Sequence, residues 1–186
     1  MAFVFNLTGC SHYGSLDGNI TTYNDDLIIE PGTTISVISG ENEKQNSLEF
    51  KFCQNLLAGH LEKANFKVVS IDDKENKPHM VAVLSYNMGK GKKDINTRFD
   101  PFLGNVITTK ILYNTSVKIE IKSLADDANL SNLEKAKVLY SSVISTKSEY
   151  DDLNLVFPQM LEMHFKKFPR NNASTQKETI TFPMED

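Results

Sequence analysis

The chain has 186 residues, of which 40% are hydrophobic and 24% are charged, and a formal net charge of −4 at pH 7. This length suits one domain with a hydrophobic core and is short for two. No stretch approaches the roughly 20 apolar residues of a membrane-spanning helix, and the acidic balance of the whole chain provides no general attraction for nucleic acid or anionic lipid.

The N-terminus carries the most informative motif. An apolar stretch ends in Leu7-Thr8-Gly9-Cys10, which resembles the lipobox of bacterial lipoproteins. In that family the cysteine sulfur receives a diacylglycerol, the chain is cut before the cysteine, and the new amino group is acylated. The resemblance implies lipid attachment at Cys10, and Ser11 after it implies the outer membrane as the destination. Several acyl chains anchor a protein firmly, whereas a single chain is marginal.

The stretch before Cys10 is shorter than an ordinary secretory signal. Such signals combine a basic start with about 7–15 apolar residues, and here the first Lys or Arg is Lys44. The lipobox interpretation therefore implies a true start upstream of Met1 or a shortened N-terminus. The alternative is a buried strand over residues 3–7 that happens to end in Gly-Cys, in a cytoplasmic protein.

The composition divides the chain into three segments. Residues 1–10 are interpreted as the remnant of a lipoprotein signal with its lipobox. Residues 11–32 are polar and contain glycine, which predicts a flexible tether. Residues 33–186 are predicted to form a single α+β domain.

The domain is predicted to open with a strand and a helix. Residues 33–39 are β-branched and alternate, which favours a strand. Residues 47–65 place apolar side chains at helical spacing, with Asn46 as the expected N-cap and Glu49 as its capping partner. Cys53 falls within the apolar stripe of this helix and is predicted to be a buried thiol.

The middle of the chain is predicted to supply most of the sheet. Strands are predicted over residues 66–71, 80–86, 106–113, 117–121 and 138–146 from alternation and apolar runs. Residues 87–105 contain three glycines and four basic residues, which predicts a loop. The final helix is predicted between Ser148 and Phe168, and Pro158 within it predicts either a kink or a helix that begins there.

These elements predict an α+β fold, with an antiparallel sheet of about five to six strands and two main helices packed on one face.

Five short segments form a recognisable pattern: Ser47-Leu48-Glu49-Phe50, Leu84-Ser85-Tyr86-Asn87-Met88-Gly89, Leu155-Val156-Phe157-Pro158-Gln159-Met160-Leu161, Phe165-Lys166-Lys167-Phe168-Pro169, and Asn171, Asn172 and Thr175 with the Thr-Ile-Thr-Phe tail. Together they resemble a group of small proteobacterial lipoproteins built on a domain of unknown function. The resemblance spans roughly residues 33–182, and the chain departs from the pattern at Ala173, where a glycine is expected. The resemblance implies an envelope location and a fold, and no activity.

The sequence contains no recognisable catalytic or cofactor motif. Met88-Gly89-Lys90-Gly91-Lys92-Lys93 lacks the spacing of a phosphate-binding loop, so we predict a solvated basic loop whose best ligands would be anionic lipid head groups or peptidoglycan. The four histidines are scattered, which argues against a metal site. The paired aspartates at 25–26, 72–73, 126–127 and 151–152 favour turns and helix capping. No cofactor is expected.

We therefore interpret the protein as a non-catalytic lipoprotein of the bacterial envelope. It would be held by Cys10 in the outer membrane, facing the periplasm, where it binds or scaffolds an envelope protein or peptidoglycan. The alternative is an envelope hydrolase whose site is assembled from scattered residues.

Overall fold

A mixed β-sheet organises the protein, and our computed structural model describes residues 13–25, 27–124, 130–170 and 172–184. Eight strands and two α-helices make up the described fold. In chain order the elements are β1 (Tyr13–Asn24), β2 (Thr34–Ser39), a 3-10 segment (Asn42–Lys44), α1 (Leu48–Lys63), β3 (Lys67–Val68), β4 (Met80–Met88), β5 (Lys92–Asp100), β6 (Gly104–Ser123), a second 3-10 segment (Leu130–Lys135), β7 (Val138–Ser148), α2 (Leu153–Phe165) and β8 (Asn172–Pro183).

The strand order is β3-β2-β4-β6-β7-β1-β8, with β5 paired to β6 outside this path. The α+β class is confirmed, but the predicted antiparallel sheet of five to six strands is wrong. β2 pairs in parallel with both β3 and β4. The physical reason is α1, which carries the chain back along the sheet after β2, so that β3 begins from the same end as β2.

The predicted first helix is confirmed as α1, with a corrected cap. Ser47 rather than Asn46 is the N-cap, and its hydroxyl accepts a hydrogen bond from the N–H of Phe50 at 3.0 Å. After α1, Asn65 adopts a positive φ of 72°, a conformation that asparagine tolerates better than most residues at helix ends.

The last helix, α2, begins at Leu153 and not at Pro158. Asp152 is the N-cap of α2 and accepts a hydrogen bond from the N–H of Asn154 at 2.8 Å, so Pro158 lies inside the helix. Asp151 and Asp152 therefore stand at a helix start, as predicted.

The predicted tether over residues 11–32 is wrong for most of its length. Residues 13–24 form β1, which lies between β7 and β8 and pairs antiparallel with both. Its inward positions include Leu16, Ile20 and Thr22, each no more than 1% exposed. The outward positions are mostly polar, and this polarity is the reason that the composition predicts a flexible tether.

The core lies between the helices and one face of the sheet. Phe157 of α2 packs edge-on against Tyr86 of β4, with ring centroids 6.1 Å apart. The two helices meet where His60 stacks on Phe165 at 4.8 Å. Cys53 of α1 is completely buried, as predicted, and burial raises the pKa of its thiol to about 12.

The predicted loop over residues 87–105 is a strand instead. β4 and β5 run one after the other along β6, so that residues 80–123 form a long hairpin with an irregularity near Gly89. The two strands predicted over 106–113 and 117–121 are parts of the single strand β6, whereas the strand predicted over 66–71 is reduced to Lys67–Val68. β5 and the first half of β6 extend beyond the rest of the sheet, and we call residues 90–112 the basic ribbon.

Candidate functional site

Cys10, the predicted site of lipid attachment, lies outside the described residues. It precedes Tyr13, the first residue of β1, by three positions, a length that spans at most about 10 Å. β1 is antiparallel to β7, and β7 is antiparallel to β6, so β1 and β6 run in the same direction. Because Gly18 pairs with Thr146 and Thr146 with Thr115, Tyr13 lies at the end of the sheet from which the basic ribbon projects.

A cleft of about 670 Å³ opens where the N-terminal ends of α1 and α2 approach β4. Its walls carry the carboxylates of Glu49, Asp151 and Asp152 together with Lys44 and Tyr86. Their arrangement follows from the fold, because both helices begin at this edge and acidic residues are favoured at helix N-termini.

The polar groups of this cleft are largely engaged in structural roles. Asp152 caps α2. Lys44 forms an ion pair with Glu41 at 3.0 Å, and its Nζ lies 5.2 Å from the centroid of the Tyr86 ring. Burial, aided by the nearby Glu49 carboxylate, raises the pKa of the Tyr86 phenol. Tyr86 therefore remains protonated at neutral pH and is poorly suited to act as a base.

A buried serine–histidine pair is the one arrangement that resembles catalytic machinery among the described residues. Ser142 Oγ and His164 Nδ1 are 3.1 Å apart, a distance typical of a nucleophile and its general base. Sequence reasoning counted His164 among four scattered histidines and did not pair it with Ser142. The pairing depends on how β7 and α2 pack, which no local pattern in the sequence reports.

The surroundings of this pair exclude substrate. Ser142 is 0% exposed and His164 is 1% exposed. The rings of Tyr140, Phe165 and Phe168 lie beside the imidazole, with centroids 4.8–5.8 Å from it. Desolvation lowers the pKa of His164 to about 3, with a further contribution from Arg170. The pair is therefore a neutral, internal hydrogen bond that helps to hold α2 on the sheet.

This burial predicts a measurable pH dependence of stability. The folded-state pKa of His164 is lowered from 6.5 to about 3, so below about pH 6.5 the unfolded chain binds a proton that the native protein does not. The free energy of unfolding should fall with decreasing pH by up to about 1.4 kcal/mol per unit from this residue. Urea titrations between about pH 7 and pH 5 should show a weaker pH dependence for His164→Gln than for the wild type.

Two features of the structure sharpen this measurement. His60, whose pKa is also lowered by burial, contributes a slope of the same sign and remains in the variant. Ser142→Ala removes the hydrogen bond but keeps the imidazole, so it should destabilise the protein while retaining the wild-type slope. Equal slopes for His164→Gln and the wild type would contradict the assignment.

Among the described residues, the histidines and paired aspartates noted in the sequence are not assembled into a metal site. Within the described ranges, no group of three or more His, Cys, Asp or Glu residues is placed to hold a metal ion. His79 bonds through Nδ1 to the Thr34 hydroxyl at 2.6 Å. None of the described helices is long and apolar enough to cross a membrane.

No protein-family model and no curated protein matches this sequence. Among solved structures, a PDZ domain protein from Parabacteroides distasonis ATCC 8503 aligns with 91% of the chain at a TM-score of 0.52 and 12% identity. The aligned part is 39% of that longer chain. The PelC dodecamer from Paraburkholderia phytofirmans aligns with 76% of this chain and 90% of its own, at a TM-score of 0.41 and 11% identity. At such identities the first similarity shows a shared fold and no more.

Proposed function

We propose that the protein is a non-catalytic lipoprotein of the bacterial cell envelope, anchored in the outer membrane through Cys10 and facing the periplasm. The observation that carries this proposal is the Leu7-Thr8-Gly9-Cys10 motif, which ends three residues before Tyr13, the first residue of β1. The resemblance to small proteobacterial lipoproteins built on a domain of unknown function supports the same location. The partner would be an envelope protein or peptidoglycan.

A non-catalytic role fits the chemistry of the described residues better than the hydrolase alternative. The Ser142–His164 pair is sealed beneath aromatic side chains. The carboxylates of the large cleft serve partly as helix caps, and Tyr86 in that cleft stays protonated. A hydrolase needs a nucleophile or base that substrate can reach.

Lipidation is tested in cells with a palmitate analogue, expressing the protein from its native gene with the upstream sequence intact. The wild type should incorporate the label and remain in the membrane fraction at high salt, because each buried methylene of an acyl chain contributes about 0.8 kcal/mol. Cys10→Ser should abolish the label and release the protein or leave its precursor uncut.

The chain offers a matched control for this experiment. Cys53 is the other cysteine of the sequence and is buried, so Cys53→Ser should retain both the label and the membrane association. If the wild type takes up no label and fractionates as soluble, lipid attachment at Cys10 is wrong, and the interpretation as a cytoplasmic protein replaces it.

A further inference from the structure

The basic ribbon has one apolar face that is exposed to solvent. In the register of β5 and β6, side chains of paired residues share a face, and one face carries Ile95, Phe99, Ile107 and Ile111. These side chains are 50–72% exposed. The opposite face carries charged residues, among them Asp94 and Lys110, which form ion pairs with Lys147 and Glu149.

The turn at the end of the ribbon adds two apolar side chains. Phe102 is 95% exposed and Leu103 is 77% exposed. Asp100 holds the turn, because its Oδ1 accepts hydrogen bonds from the backbone N–H groups of both residues, at 2.9 and 3.1 Å. The two side chains are therefore presented by a hydrogen-bonded turn.

The apolar face of the ribbon continues the face of β6 that forms the core. Odd-numbered positions of β6 include the buried Val117, Ile119 and Ile121, and continue towards the tip through Ile111 and Ile107. The helices cover the buried part, while the ribbon part remains exposed. A two-stranded ribbon is only marginally stable by itself, and a contiguous exposed apolar surface is typical of a contact site.

The charge of the ribbon indicates which surface it contacts. Residues 90–112 contain five basic and two acidic residues, a net charge of +3, although the whole chain carries −4. Lys92, Lys93 and Arg98 have no ion-pair partner among the described residues. If two copies paired through the apolar face, two positively charged ribbons would be brought together and repel each other. An anionic lipid surface instead complements both the charge and the apolar side chains.

The position of the ribbon fits this partner. It projects from the end of the sheet at which β1 begins, and Cys10 lies three residues before that strand. This step rests on the proposed lipid anchor, whereas the charge and the exposed apolar face do not. An anchor at Cys10 would hold the ribbon close to the bilayer.

We propose that the basic ribbon is a second membrane-contact element that docks on an anionic bilayer. Phe99, Phe102 and Leu103 enter the boundary between head groups and acyl chains. Lys93 lies on the same face as Phe99 and contacts the lipid phosphates, while Lys92 and Arg98 lie on the opposite face and add to the positive charge of the ribbon near the bilayer. The ribbon thereby fixes the orientation of the domain on the membrane, which a flexible lipid anchor alone does not define.

Vesicle flotation of the unlipidated full-length chain tests this proposal independently of Cys10. The chain should bind vesicles of phosphatidylcholine mixed with phosphatidylglycerol and should bind phosphatidylcholine vesicles much more weakly. The double variant Phe102→Ser/Leu103→Ser should bind the mixed vesicles at least about tenfold more weakly, since roughly 1.4 kcal/mol of lost burial corresponds to that factor. Lys92→Glu/Lys93→Glu should lose the preference for phosphatidylglycerol and the salt sensitivity that accompanies it.

Controls outside the ribbon separate specific from general effects. Leu48→Ser removes an apolar side chain that is 84% exposed at the start of α1, and Lys51→Glu/Lys63→Glu changes the net charge equally. Both should bind like the wild type, and circular dichroism should confirm that every variant is folded. Equal binding of the wild type and the ribbon variants, or no binding to anionic vesicles, would overturn the proposal.

The oligomeric state provides a further decisive outcome. If sedimentation shows a dimer that Phe102→Ser/Leu103→Ser converts to a monomer, the occupant of the apolar face is a second copy and the membrane proposal is wrong. Because the vesicle assay uses unlipidated protein, failure of acyl labelling in cells leaves its result standing, and the reverse also holds.

Discussion

A chain that begins at Ile29 should fail to fold, because it lacks β1. This strand lies between β7 and β8, so its loss removes two rows of backbone hydrogen bonds and leaves β8 without its partner strand. It also removes the buried side chains of Leu16 and Ile20, and truncating just one such side chain typically costs about 2–5 kcal/mol. With the lost hydrogen bonds added, the loss is comparable with the roughly 5–15 kcal/mol by which domains are stable.

Circular dichroism and thermal unfolding measure this effect directly. A matched chain that begins at Ser11 keeps all of β1 and should unfold cooperatively like the full-length protein. Adding a peptide of residues 11–28 to the shorter chain should restore structure, since an extended segment can complete a sheet that lacks a strand. A cooperative transition in the chain from Ile29 by itself would show that β1 is dispensable.

The failure to predict β1 from sequence has a structural cause. Inward positions of the strand include Gly14 and Gly18 in place of large apolar residues. A Cβ at Gly18 would lie 2.9 Å from the Cε of Met163, and one at Gly14 would lie 2.8 Å from the ring of Phe182. Neighbouring side chains fill the space, so the strand needs little hydrophobicity of its own. The apolar side chains that bury this part of β1 therefore belong to α2 and β8, and the sequence of β1 itself does not predict a buried strand.

The helices were easier to predict because their signals are local. Caps and helical spacing of apolar residues lie within one segment, and α1 agrees with its prediction to within two residues at each end. Strand direction is not local: nothing within residues 34–39 specifies that both neighbours run parallel to β2. Residues 87–105 predict a loop because they contain three glycines and four basic residues. The strand β5 within them has an exposed apolar face, so it lacks the buried alternation that usually predicts a strand.

For the candidate surfaces too, features that depend on local composition could be predicted, and features that depend on strand pairing could not. The basic character of residues 88–93 could be inferred from composition, and it predicts anionic lipid head groups or peptidoglycan as the best ligands. The apolar face beside it could not, because it arises only when β5 and β6 are placed in register. The Ser142–His164 contact likewise joins residues 22 positions apart on different elements.

Phe157→Ala should lower the stability of the protein strongly, because it removes a phenylalanine ring from the core. Phe157 is 0% exposed and packs against Tyr86 between α2 and the sheet, so the variant loses both the buried ring and the packing around the space that it leaves. We expect the free energy of unfolding in urea to fall by about 3–5 kcal/mol.

Phe102→Ala is the matched control: its ring is 95% exposed at the ribbon tip, and surface substitutions usually change stability by no more than about 0.5 kcal/mol. A similar loss in both variants would mean that the tip of the ribbon packs against the body of the protein, and a negligible loss for Phe157→Ala would place the core elsewhere.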